Sequence, residues 1–411
     1  MKNDLIEICP PGNAQHRIHV AMVTETYPPD INGVAMTIGR LVDELLRLGH
    51  AIQLIRPRPA QPDLPLPADG LDSVLVRGLP LPGYTQLKFG LPATRRLLDL
   101  WTRERPDIVH IVTEGPLGWS ALRACKQLGL PCCTDFHTNF HSYSRHYGIG
   151  LLARPVAAYL RRFHNRAGST MVPTGEMREE LAAEGYRNLR VVARGVESTL
   201  FHPGRRSREL RAAWGVGEAQ AAVIHVGRLA PEKNLALLFT AFEAMRARHA
   251  GARLIVVGDG PSRRHFETRY PQHVFAGMRR GEDLAAHYAS GDIFLMPSLT
   301  ETYGNVTMEA MASGLAVLAY DYAAAREHIA CGVNGVTARP GDARAFIAQA
   351  CALIDDPARR RHFATQARLT AERLSWAQVA GDLLETYREV IGRQARVATA
   401  TAAACVGASH A

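Results

Sequence analysis

Short runs of consecutive apolar residues alternate with amphipathic stretches along most of the chain. Residues 293–296 and 316–319 are apolar throughout, which is typical of strands buried on both faces of a parallel sheet. The stretch 376–391 instead places its apolar residues on one helical face. Because both patterns recur in each half of the chain, the sequence predicts an α/β fold with two doubly wound domains that face a central cleft.

Individual elements follow from this pattern and from the glycine, proline and asparagine residues that interrupt it. The predicted strands cover residues 17–27, 107–112, 131–136, 169–173, 221–227, 253–258, 274–277, 293–296 and 316–319. Four helices are predicted. The first begins after residue 33 and ends near residue 48, and the others cover residues 305–314, 343–354 and 376–391. The proline-rich residues 57–73 and the residues 79–91 are predicted to form loops.

The composition is that of an ordinary globular protein, with 411 residues, 47% hydrophobic and 21% charged. The seven cysteines form no C-x-x-C pattern, which argues against a disulfide framework and favours a reducing cytoplasm. No apolar run reaches the roughly 18 residues of a membrane span, and the first residues do not resemble a signal peptide. The net charge of +9 favours anionic partners without distinguishing nucleotide, phospholipid and nucleic acid.

The most informative stretch is 292–320, in which two apolar runs flank a predicted helix. Gly304 and Asn305 mark the start of this helix, whose first free N–H groups attract phosphate or a sugar oxygen. Glu301 lies in the preceding loop and Glu309 on the helix, and a carboxylate can accept hydrogen bonds from neighbouring hydroxyls. In most proteins, two acids at this spacing bind no ligand: the first is a solvated loop residue and the second favours the helix dipole. Here they suit a nucleotide sugar, with Glu301 on the hexose and Glu309 on the ribose.

The same stretch is similar, nearly residue for residue, to the E-x7-E signature of retaining glycosyltransferases of family 4. The resemblance extends over most of residues 17–395 and is strongest in the C-terminal half. Within the family, the chain resembles the lipid-directed group of bacterial GDP-mannose-dependent α-mannosyltransferases and sulfoquinovosyl-diacylglycerol synthases. The resemblance implies the GT-B fold, which consists of two Rossmann-like domains facing a cleft, and a retaining hexosyltransferase that uses neither a metal nor a cofactor.

The resemblance also assigns roles to the parts of the chain. Residues 16–201 are expected to form the acceptor-side domain and residues 202–375 the nucleotide-sugar donor domain. Residues 376–395 are expected to form a helix that returns to the first domain. Residues 1–15 and 396–411 are expected to be a disordered leader and a disordered tail.

Two cations follow the predicted strand 221–227. Arg228 and Lys233 lie in the sequence G-R-L-x-P-E-K-N, which is similar to the phosphate-binding segment of the family. A planar guanidinium and a mobile ammonium can together neutralise the charge that grows on a leaving nucleoside diphosphate. No D-x-D sequence is placed to hold a metal and a diphosphate. We therefore expect Arg228 and Lys233 to be catalytic and the reaction to be independent of metal.

We call Arg228 and Lys233 the clamp. The resemblance extends the donor site beyond the clamp and the two acids Glu301 and Glu309. Gly33 is expected near the donor diphosphate and the acceptor, and backbone groups near residue 278 are expected to contact the base. No side chain there distinguishes uracil from guanine. The further residues assigned to donor binding are Gly33, Gly277, Met278, Arg279, Gly304, Asn305 and Val306.

His137 follows the predicted strand 131–136, at the edge where open α/β sheets bind their ligands. His141 lies four residues later, a spacing that also occurs in metal sites. A lone histidine is more often structural. The H-T-N-F context, however, is similar to the place where family members carry a histidine next to the transferred hexose. We therefore assign this role to His137, with Glu301, Arg228 and Lys233 as the other catalytic residues and no metal.

Residues 136–175 contain no aspartate or glutamate and carry five arginines. Arg154, Arg161 and Arg162 accompany an apolar helical face within 152–163, a pattern suited to an anionic membrane surface. An ordinary helix that packs on its own domain and leaves a solvated basic edge fits the same pattern. We assign the three arginines to the membrane and the acceptor.

Together these features predict a hexosyltransferase with a nucleotide-sugar donor and a lipid or glycolipid acceptor. The sugar is expected to be mannose from GDP-mannose, or a glucose-type or uronic-acid-type sugar from a UDP-sugar. The enzyme is expected in the cytoplasm, bound peripherally to the anionic inner face of the cytoplasmic membrane. Alternatives are a soluble or polysaccharide acceptor and a nucleotide-sugar epimerase of the same fold. A nucleic-acid-binding protein is disfavoured because neither aromatic stacking motifs nor a helix-turn-helix accompany the positive charge.

Overall fold

A computed structural model of the chain describes residues 17–30, 32–59, 69–81, 84–137 and 153–408. The predicted leader 1–15, most of the predicted loop 57–73 and the histidine at 141 lie outside these residues. So do residues 138–152 of the acid-free segment 136–175.

Strands occur at each of the apolar runs that the sequence pattern marks. In the first half of the chain they are β1 (His19–Val23), β2 (Ala51–Pro57), β3 (Leu71–Val76), β4 (Gly78–Leu81), β5 (Tyr84–Gly90), β6 (Ile108–Ile111), β7 (Cys132–Asp135), β8 (Ser169–Val172) and β9 (Leu189–Val191). In the second half they are β10 (Ala222–Val226), β11 (Arg253–Val257), β12 (Val274–Gly277), β13 (Ile293–Met296), β14 (Ala316–Tyr320) and β15 (Val336–Ala338).

Helices lie between most of the strands. The described α-helices are α1 (Gly33–Arg47), α2 (Thr94–Arg103), α3 (Pro116–Leu128), α4 (Ala153–His164), α5 (Gly175–Ala183), α6 (Arg208–Ala213), α7 (Leu235–Arg248), α8 (Arg263–Arg269), α9 (Gly281–Ala289), α10 (Asn305–Ala312), α11 (Ala323–His328), α12 (Ala343–Asp355), α13 (Pro357–Glu372) and α14 (Trp376–Ala408). The helices predicted at 305–314 and 343–354 are therefore confirmed to within two residues at each end.

The first sheet has the strand order β3-β2-β1-β6-β7-β8-β9. β1 pairs in parallel with both β2 and β6, and β8 pairs in parallel with β9. The direction in which the strand order grows reverses between β1 and β6. In doubly wound sheets such a reversal opens a crevice for ligands at the carboxyl ends of the strands.

The second sheet has the strand order β12-β11-β10-β13-β14-β15, and its paired strands are parallel. Its strands are mostly apolar because both faces of the sheet are covered. Ile224 and Phe294 lie in a hydrophobic cluster on one face, whereas Val223 and Leu295 lie in a cluster on the other. The prediction of an α/β fold with two parallel sheets is confirmed.

The chain divides into two compact units, one formed by residues 1–133 with 389–411 and the other by residues 134–388. The second unit contains the whole second sheet together with β8 and β9 of the first. The domain boundary predicted near residue 201 stays a prediction.

Residues 79–91, which are predicted to form a loop, contain most of an antiparallel hairpin instead. β4 and β5 pair with Leu79 opposite Phe89 and Pro80 opposite Lys88. The prediction of a loop is therefore wrong here. Glycine and proline interrupt this segment so often that its alternation is too short to be recognised.

The last helix is longer than predicted. α14 covers Trp376–Ala408 and so extends into the segment 396–411 for which disorder is expected. Alanine has the highest helix propensity of all residues, and the alanine-rich sequence after residue 396 continues the helix. The apolar face predicted within 376–391 is buried, and its members are Val379, Leu383, Leu384, Tyr387 and Val390.

Candidate active site

The strand order of the second sheet brings two loops together at the carboxyl ends of β10 and β13. We call them the β10 loop (residues 227–234) and the β13 loop (residues 297–304). The side-chain amide of Asn234 in the first loop donates a hydrogen bond to the carbonyl oxygen of Pro297 in the second, at 3.2 Å. Residues more than sixty positions apart in sequence therefore line one edge of the sheet.

Each basic residue of the predicted clamp lies beside a carboxylate. Lys233 Nζ and Glu301 Oε1 form a direct ion pair, and each of the two side chains is 15% exposed. Arg228 is more open, with 40% of its side chain exposed, and its Nη1 lies 3.9 Å from Oε1 of the buried Glu232. The structure thus brings three of the four predicted catalytic residues to the same edge. Sequence analysis did not identify Glu232, for which the motif P-E-K-N is the available signal.

The loops after β10, β11 and β12 are held together by their backbones. The Leu229 N–H donates to the Asp259 carbonyl at 2.9 Å, and the Gly258 N–H donates to the Gly277 carbonyl at 2.9 Å. Gly258 has a φ of +129°, and a Cβ atom there would lie 1.9 Å from the Gly227 carbonyl oxygen. Only glycine fits at position 258, because any larger residue would prevent this approach of the two backbones.

The first turn of α10 follows the β13 loop. Gly304 is the N-cap residue, with a φ of +95°, and provides no side-chain acceptor for the N–H groups of the turn. Asn305 and Val306 are the first helical residues. A helix start of this kind attracts an anion through its free N–H groups and the positive end of the helix dipole. The predicted helix start is confirmed, and the predicted positive φ of Gly314 at the other end is confirmed at +72°.

Glu309 is buried on α10 and is 6% exposed. Its Oε2 accepts a hydrogen bond from the hydroxyl of Tyr288 on α9, at 2.9 Å. Burial raises the pKa of Glu309 to about 7, although the bond from Tyr288 acts in the opposite direction. One carboxyl oxygen is thus fixed by the protein. Sequence analysis did not identify Tyr288, and its position on another helix provides no local signal.

His225 lies on β10 beneath the clamp and is fully buried. Its Nδ1 lies 2.9 Å from the carbonyl oxygen of Leu295 on β13, so Nδ1 carries the proton that is donated. Burial lowers the pKa of His225 to about 4, and the nearby charge of Lys233 lowers it further while that of Glu301 raises it. His225 therefore stays neutral and joins the two central strands of the sheet.

His137 follows β7 and is buried, with 8% exposed. Its Nδ1 lies 2.7 Å from Nη2 of Arg194, and its Nε2 lies 3.1 Å from Oδ2 of Asp135. The Thr302 hydroxyl donates to the His137 carbonyl oxygen at 2.9 Å. Because Thr302 is the neighbour of Glu301, the structure places His137 against the β13 loop. This proximity could not be read from two positions so distant in sequence.

Gly277, Met278 and Arg279 lie at the end of β12, the outermost strand on one side of the second sheet. Met278 is 49% exposed. The Arg279 Nε donates to the Ala276 carbonyl at 2.9 Å, and its Nη1 lies 3.2 Å from Oδ2 of Asp283. These residues share the carboxyl edge of the sheet with the clamp but are separated from it by β11.

Gly33 lies in the other compact unit, where it is the exposed first residue of α1 and follows the N-cap Asn32. Glu25 follows β1 in the same unit, and its Oε1 accepts from the Leu117 N–H at 3.4 Å. Burial raises the pKa of Glu25 to about 7, and the nearby Glu114 raises it further while backbone hydrogen bonds lower it. A Cβ atom at Gly115 would lie 2.2 Å from Glu25 Oε1. Sequence analysis did not identify this buried acid.

Arg154, Arg161 and Arg162 are exposed on α4, as predicted. Leu160 and Phe163 on the same helix are buried, and Leu160 packs in a cluster around β8 and α5. The prediction that this apolar face is available to a membrane is wrong for these two residues, because the core of the protein already covers them. The helix matches the alternative interpretation, an ordinary helix that packs on its own unit and leaves a solvated basic edge.

Among the residues that the structure describes, no group of three histidine, cysteine, aspartate or glutamate side chains is arranged to hold a metal ion. In the same part of the chain, no helix combines the length and the apolar character needed to cross a membrane.

The arrangement of elements matches that of a solved structure. Sucrose-phosphate synthase from Thermosynechococcus elongatus superposes with a TM-score of 0.75 over 92% of this chain and 100% of that chain, at 17% sequence identity. Two parallel α/β sheets in this arrangement define the GT-B fold.

Comparison of sequences identifies the family. Residues 31–200 match the family described as "Glycosyltransferase Family 4", and residues 220–356 match "Glycosyl transferases group 1". A GDP-mannose-dependent alpha-mannosyltransferase of Mycolicibacterium smegmatis is 35% identical over 384 residues, which are 92% of this chain and 99% of that protein. An alpha-monoglucosyldiacylglycerol synthase of Streptococcus pneumoniae is 25% identical over 316 residues, 74% of this chain and 71% of that protein. The chain belongs to glycosyltransferase family 4, as its E-x7-E stretch indicates.

Proposed function

We propose that this family 4 glycosyltransferase is a retaining, metal-independent hexosyltransferase that transfers mannose from GDP-mannose to a lipid or glycolipid acceptor. The observation that carries the choice of donor is the 35% identity to a GDP-mannose-dependent alpha-mannosyltransferase over 92% of the chain. The charge arrangement at the carboxyl edge of the second sheet supports the chemistry.

The diphosphate of the donor is proposed to lie between Arg228, Lys233 and the start of α10. Glu301 and Glu232 balance the two cations within the folded chain, so an incoming diphosphate competes with carboxylates for them. In this competition Lys233 shifts from Glu301 towards the phosphate, and Glu301 becomes available to accept hydrogen bonds from hexose hydroxyls. Glu309, with one oxygen held by Tyr288, is proposed to accept from the ribose through the other.

The reaction is proposed to occur on one face of the sugar. The bond from the anomeric carbon to the diphosphate oxygen breaks, and the bond to the acceptor oxygen forms on the same side. The acceptor proton passes to the departing diphosphate oxygen. Because the new bond forms on the face that the leaving group vacates, configuration is retained. Arg228 and Lys233 stabilise the negative charge that develops on the leaving group. In metal-dependent enzymes a bound metal ion stabilises this charge.

The acceptor is proposed to be a lipid at the inner face of the cytoplasmic membrane. The name of the Streptococcus pneumoniae relative indicates a diacylglycerol product, which supports this class of acceptor. Since Leu160 and Phe163 are buried, attraction by the exposed arginines of α4 is proposed to provide the membrane contact, without insertion of an apolar face.

A thermal-shift comparison tests the donor. Melting curves are recorded with GDP-mannose, UDP-glucose, UDP-glucuronate and UDP-galactose, because a ligand of the folded state raises stability by about 2.7 kcal/mol at a concentration of 100 times its Kd. GDP-mannose should give the largest shift. A larger shift with a UDP-sugar would contradict the proposed donor without affecting the family.

The product tests the acceptor, the stereochemistry and the metal independence. Incubation of GDP-mannose with liposomes that contain diacylglycerol or a glycolipid should give an α-mannosyl lipid, and nuclear magnetic resonance of the product should show the α anomer. Activity should persist in excess EDTA. Loss of activity that Mg²⁺ or Mn²⁺ restores would contradict metal independence, and a β product would contradict retention.

A further inference from the structure

The buried group around His137 contains a cation that sequence analysis did not consider. Arg194, three residues beyond β9, is 7% exposed, and its Nη2 lies 2.7 Å from Nδ1 of His137. A guanidinium has hydrogen-bond donors only, so Nδ1 must be the acceptor and carries no proton. The single ring proton of His137 is then on Nε2, the atom that lies 3.1 Å from Oδ2 of Asp135.

The same group is tied to the β13 loop by two hydroxyls. Thr302 donates to the His137 carbonyl oxygen at 2.9 Å, and the buried Tyr303 donates to the Arg194 carbonyl oxygen at 3.1 Å. Thr302 and Tyr303 directly follow Glu301. Both His137 and its guanidinium partner are therefore held in place by the loop that presents Glu301.

We propose that Arg194 is a positioning residue. It holds His137 as the neutral Nε2–H tautomer and keeps its ring in a fixed orientation beside the Glu301 loop. The hexose role of this group rests on the proposed function, whereas the tautomer does not depend on it.

One consequence concerns what His137 can do in the reaction. A second proton on Nδ1 would face the Arg194 cation at 2.7 Å, so His137 cannot become an imidazolium without displacing Arg194. His137 is therefore excluded from acid or base catalysis through Nδ1. Its contribution is to present a fixed ring and a fixed carbonyl at the end of β7.

The first measurement reads the tautomer directly. Nitrogen-15 resonances of histidine-labelled protein distinguish a protonated from an unprotonated ring nitrogen, and the His137 signals are identified by their loss in His137→Phe. The parent should show a proton on Nε2 and none on Nδ1. Arg194→Met, which keeps the bulk and removes the donors, should give a mixture of tautomers. Arg194→Lys should retain part of the parent pattern.

The second measurement reads the effect on transfer. Misplacing a group at the reacting centre by about 1 Å can cost about 10²-fold in rate. Arg194→Met should therefore lower kcat by about 10²-fold and leave KM for GDP-mannose within about threefold, and Arg194→Lys should recover part of the loss. In the His137→Phe background Arg194→Met should have no further effect, because the positioned ring is already absent.

Arg211→Met is the matched control. Arg211 is also a buried arginine, 5% exposed, and its Nη1 lies 3.0 Å from Oδ2 of Asp292, outside the His137 group. This variant should lose stability and leave both the His137 tautomer and the kcat of the folded enzyme unchanged.

Two results would overturn the assignment. One is a proton on Nδ1 of His137 in the parent, and the other is an equally large loss of kcat on Arg194→Met in the His137→Phe background. If the parent uses a donor other than GDP-mannose, the proposed function fails, but the nitrogen-15 spectra still decide the role of Arg194.

Discussion

Arg228 and Lys233 differ in how far their charge is already engaged by the protein. Lys233 is in direct contact with Glu301, whereas Arg228 is 40% exposed and lies 3.9 Å from Glu232. Removing Lys233 would leave the mostly buried Glu301 without its cation, at the place where the proposed diphosphate binds. Removing one partner of a buried ion pair costs more free energy than the pair contributes, because the other charge is left buried and unpaired. Lys233 is therefore the more sensitive of the two.

The first prediction concerns the clamp. Arg228→Ala and Lys233→Ala should each lower turnover by about 10²-fold or more, the usual cost of losing one preorganised charge that faces a developing anion. Melting curves should show that both variants fold. Arg264→Ala, which changes an exposed arginine on α8, is the matched control and should have parental activity. If either clamp variant stays within about threefold of the parent, the diphosphate is bound elsewhere.

The second prediction separates the two acids of the E-x7-E stretch. Glu301→Gln should damage transfer more than GDP binding, because Glu301 is assigned to the hexose. Glu309→Gln should weaken both, because Glu309 is assigned to the ribose. Calorimetric titration with GDP and steady-state kinetics measure the two effects, with the exposed Glu218→Gln as control. An equal loss of GDP affinity in both variants would contradict the division.

At the scale of elements, the close contact between loops at the edge of the second sheet depends on small residues. The β10 loop and the loop after β11 approach each other backbone to backbone at Gly258 and Gly227. Strand order alone places the loops at the same edge, and this contact then sets the path of the β10 loop towards Arg228. The donor site is therefore sensitive to a glycine that touches no ligand in the proposal.

The third prediction tests this contact. Gly258→Ala combines an unfavourable positive φ with a Cβ atom 1.9 Å from a carbonyl oxygen, so it should lower the free energy of unfolding by about 2 kcal/mol or more and weaken GDP binding. Gly332→Ala is the matched control, because its φ is +84° but no atom lies within 4 Å of the added carbon. It should cost about 1 kcal/mol and leave GDP binding unchanged. Equal effects of the two variants would show that contact at Gly258 is unimportant.

The fourth prediction concerns α4. Each basic residue near an anionic surface contributes about 1 kcal/mol, so Arg154, Arg161 and Arg162 together can hold the protein to such a surface reversibly. The protein should sediment with anionic liposomes at low salt, be released at high salt, and lose binding when all three arginines become serine.

The matched control for this experiment replaces three arginines on another helix. Arg95, Arg96 and Arg103 on α2 are exposed, and their change to serine removes the same total charge. This control should still bind. Failure of the parent to bind liposomes, together with full activity on a soluble acceptor, would identify an enzyme that builds soluble glycans.

At the scale of the whole molecule, two buried acids make stability depend on pH. Burial raises the pKa of both Glu25 and Glu309 to about 7, above their usual 4.5. The folded state therefore binds these protons more tightly than the unfolded state does. Their contribution to stability is fully present below about pH 4.5 and is lost as the pH rises through about 7.

The fifth prediction follows from this sign. Glutamine resembles the protonated acid, so Glu25→Gln and Glu309→Gln should each gain stability relative to the parent between pH 5 and pH 8, by at most about 3 kcal/mol. Denaturant unfolding at both pH values measures the difference, and Glu218→Gln controls for loss of an exposed charge. A difference between variant and parent that does not change with pH would contradict the raised pKa.

Local features of the fold and of the candidate site could be predicted because they depend on near neighbours in the chain. The strand at 293–296, the start of α10 at Asn305 and the positive φ of Gly314 all follow from short-range sterics and hydrogen bonding. The family could be recognised from the E-x7-E stretch for the same reason. The hairpin at 78–90 was missed because its pairing is short and interrupted.

The sequence by itself determined the class of fold, the family and the positions that carry charge at strand ends. Only the tertiary structure decided which groups those charges meet. The partners Tyr288 and Arg194 come from positions distant in sequence from the groups they meet, and Glu232 is buried beside Arg228. Burial shifts the pKa of Glu309, whereas the hydrogen bond from Arg194 fixes the tautomer that we propose for His137. Burial also decided that Leu160 and Phe163 of α4 belong to the core. The physical reason is that solvation and the partners of a charge are set by packing between elements, which local sequence pattern does not encode.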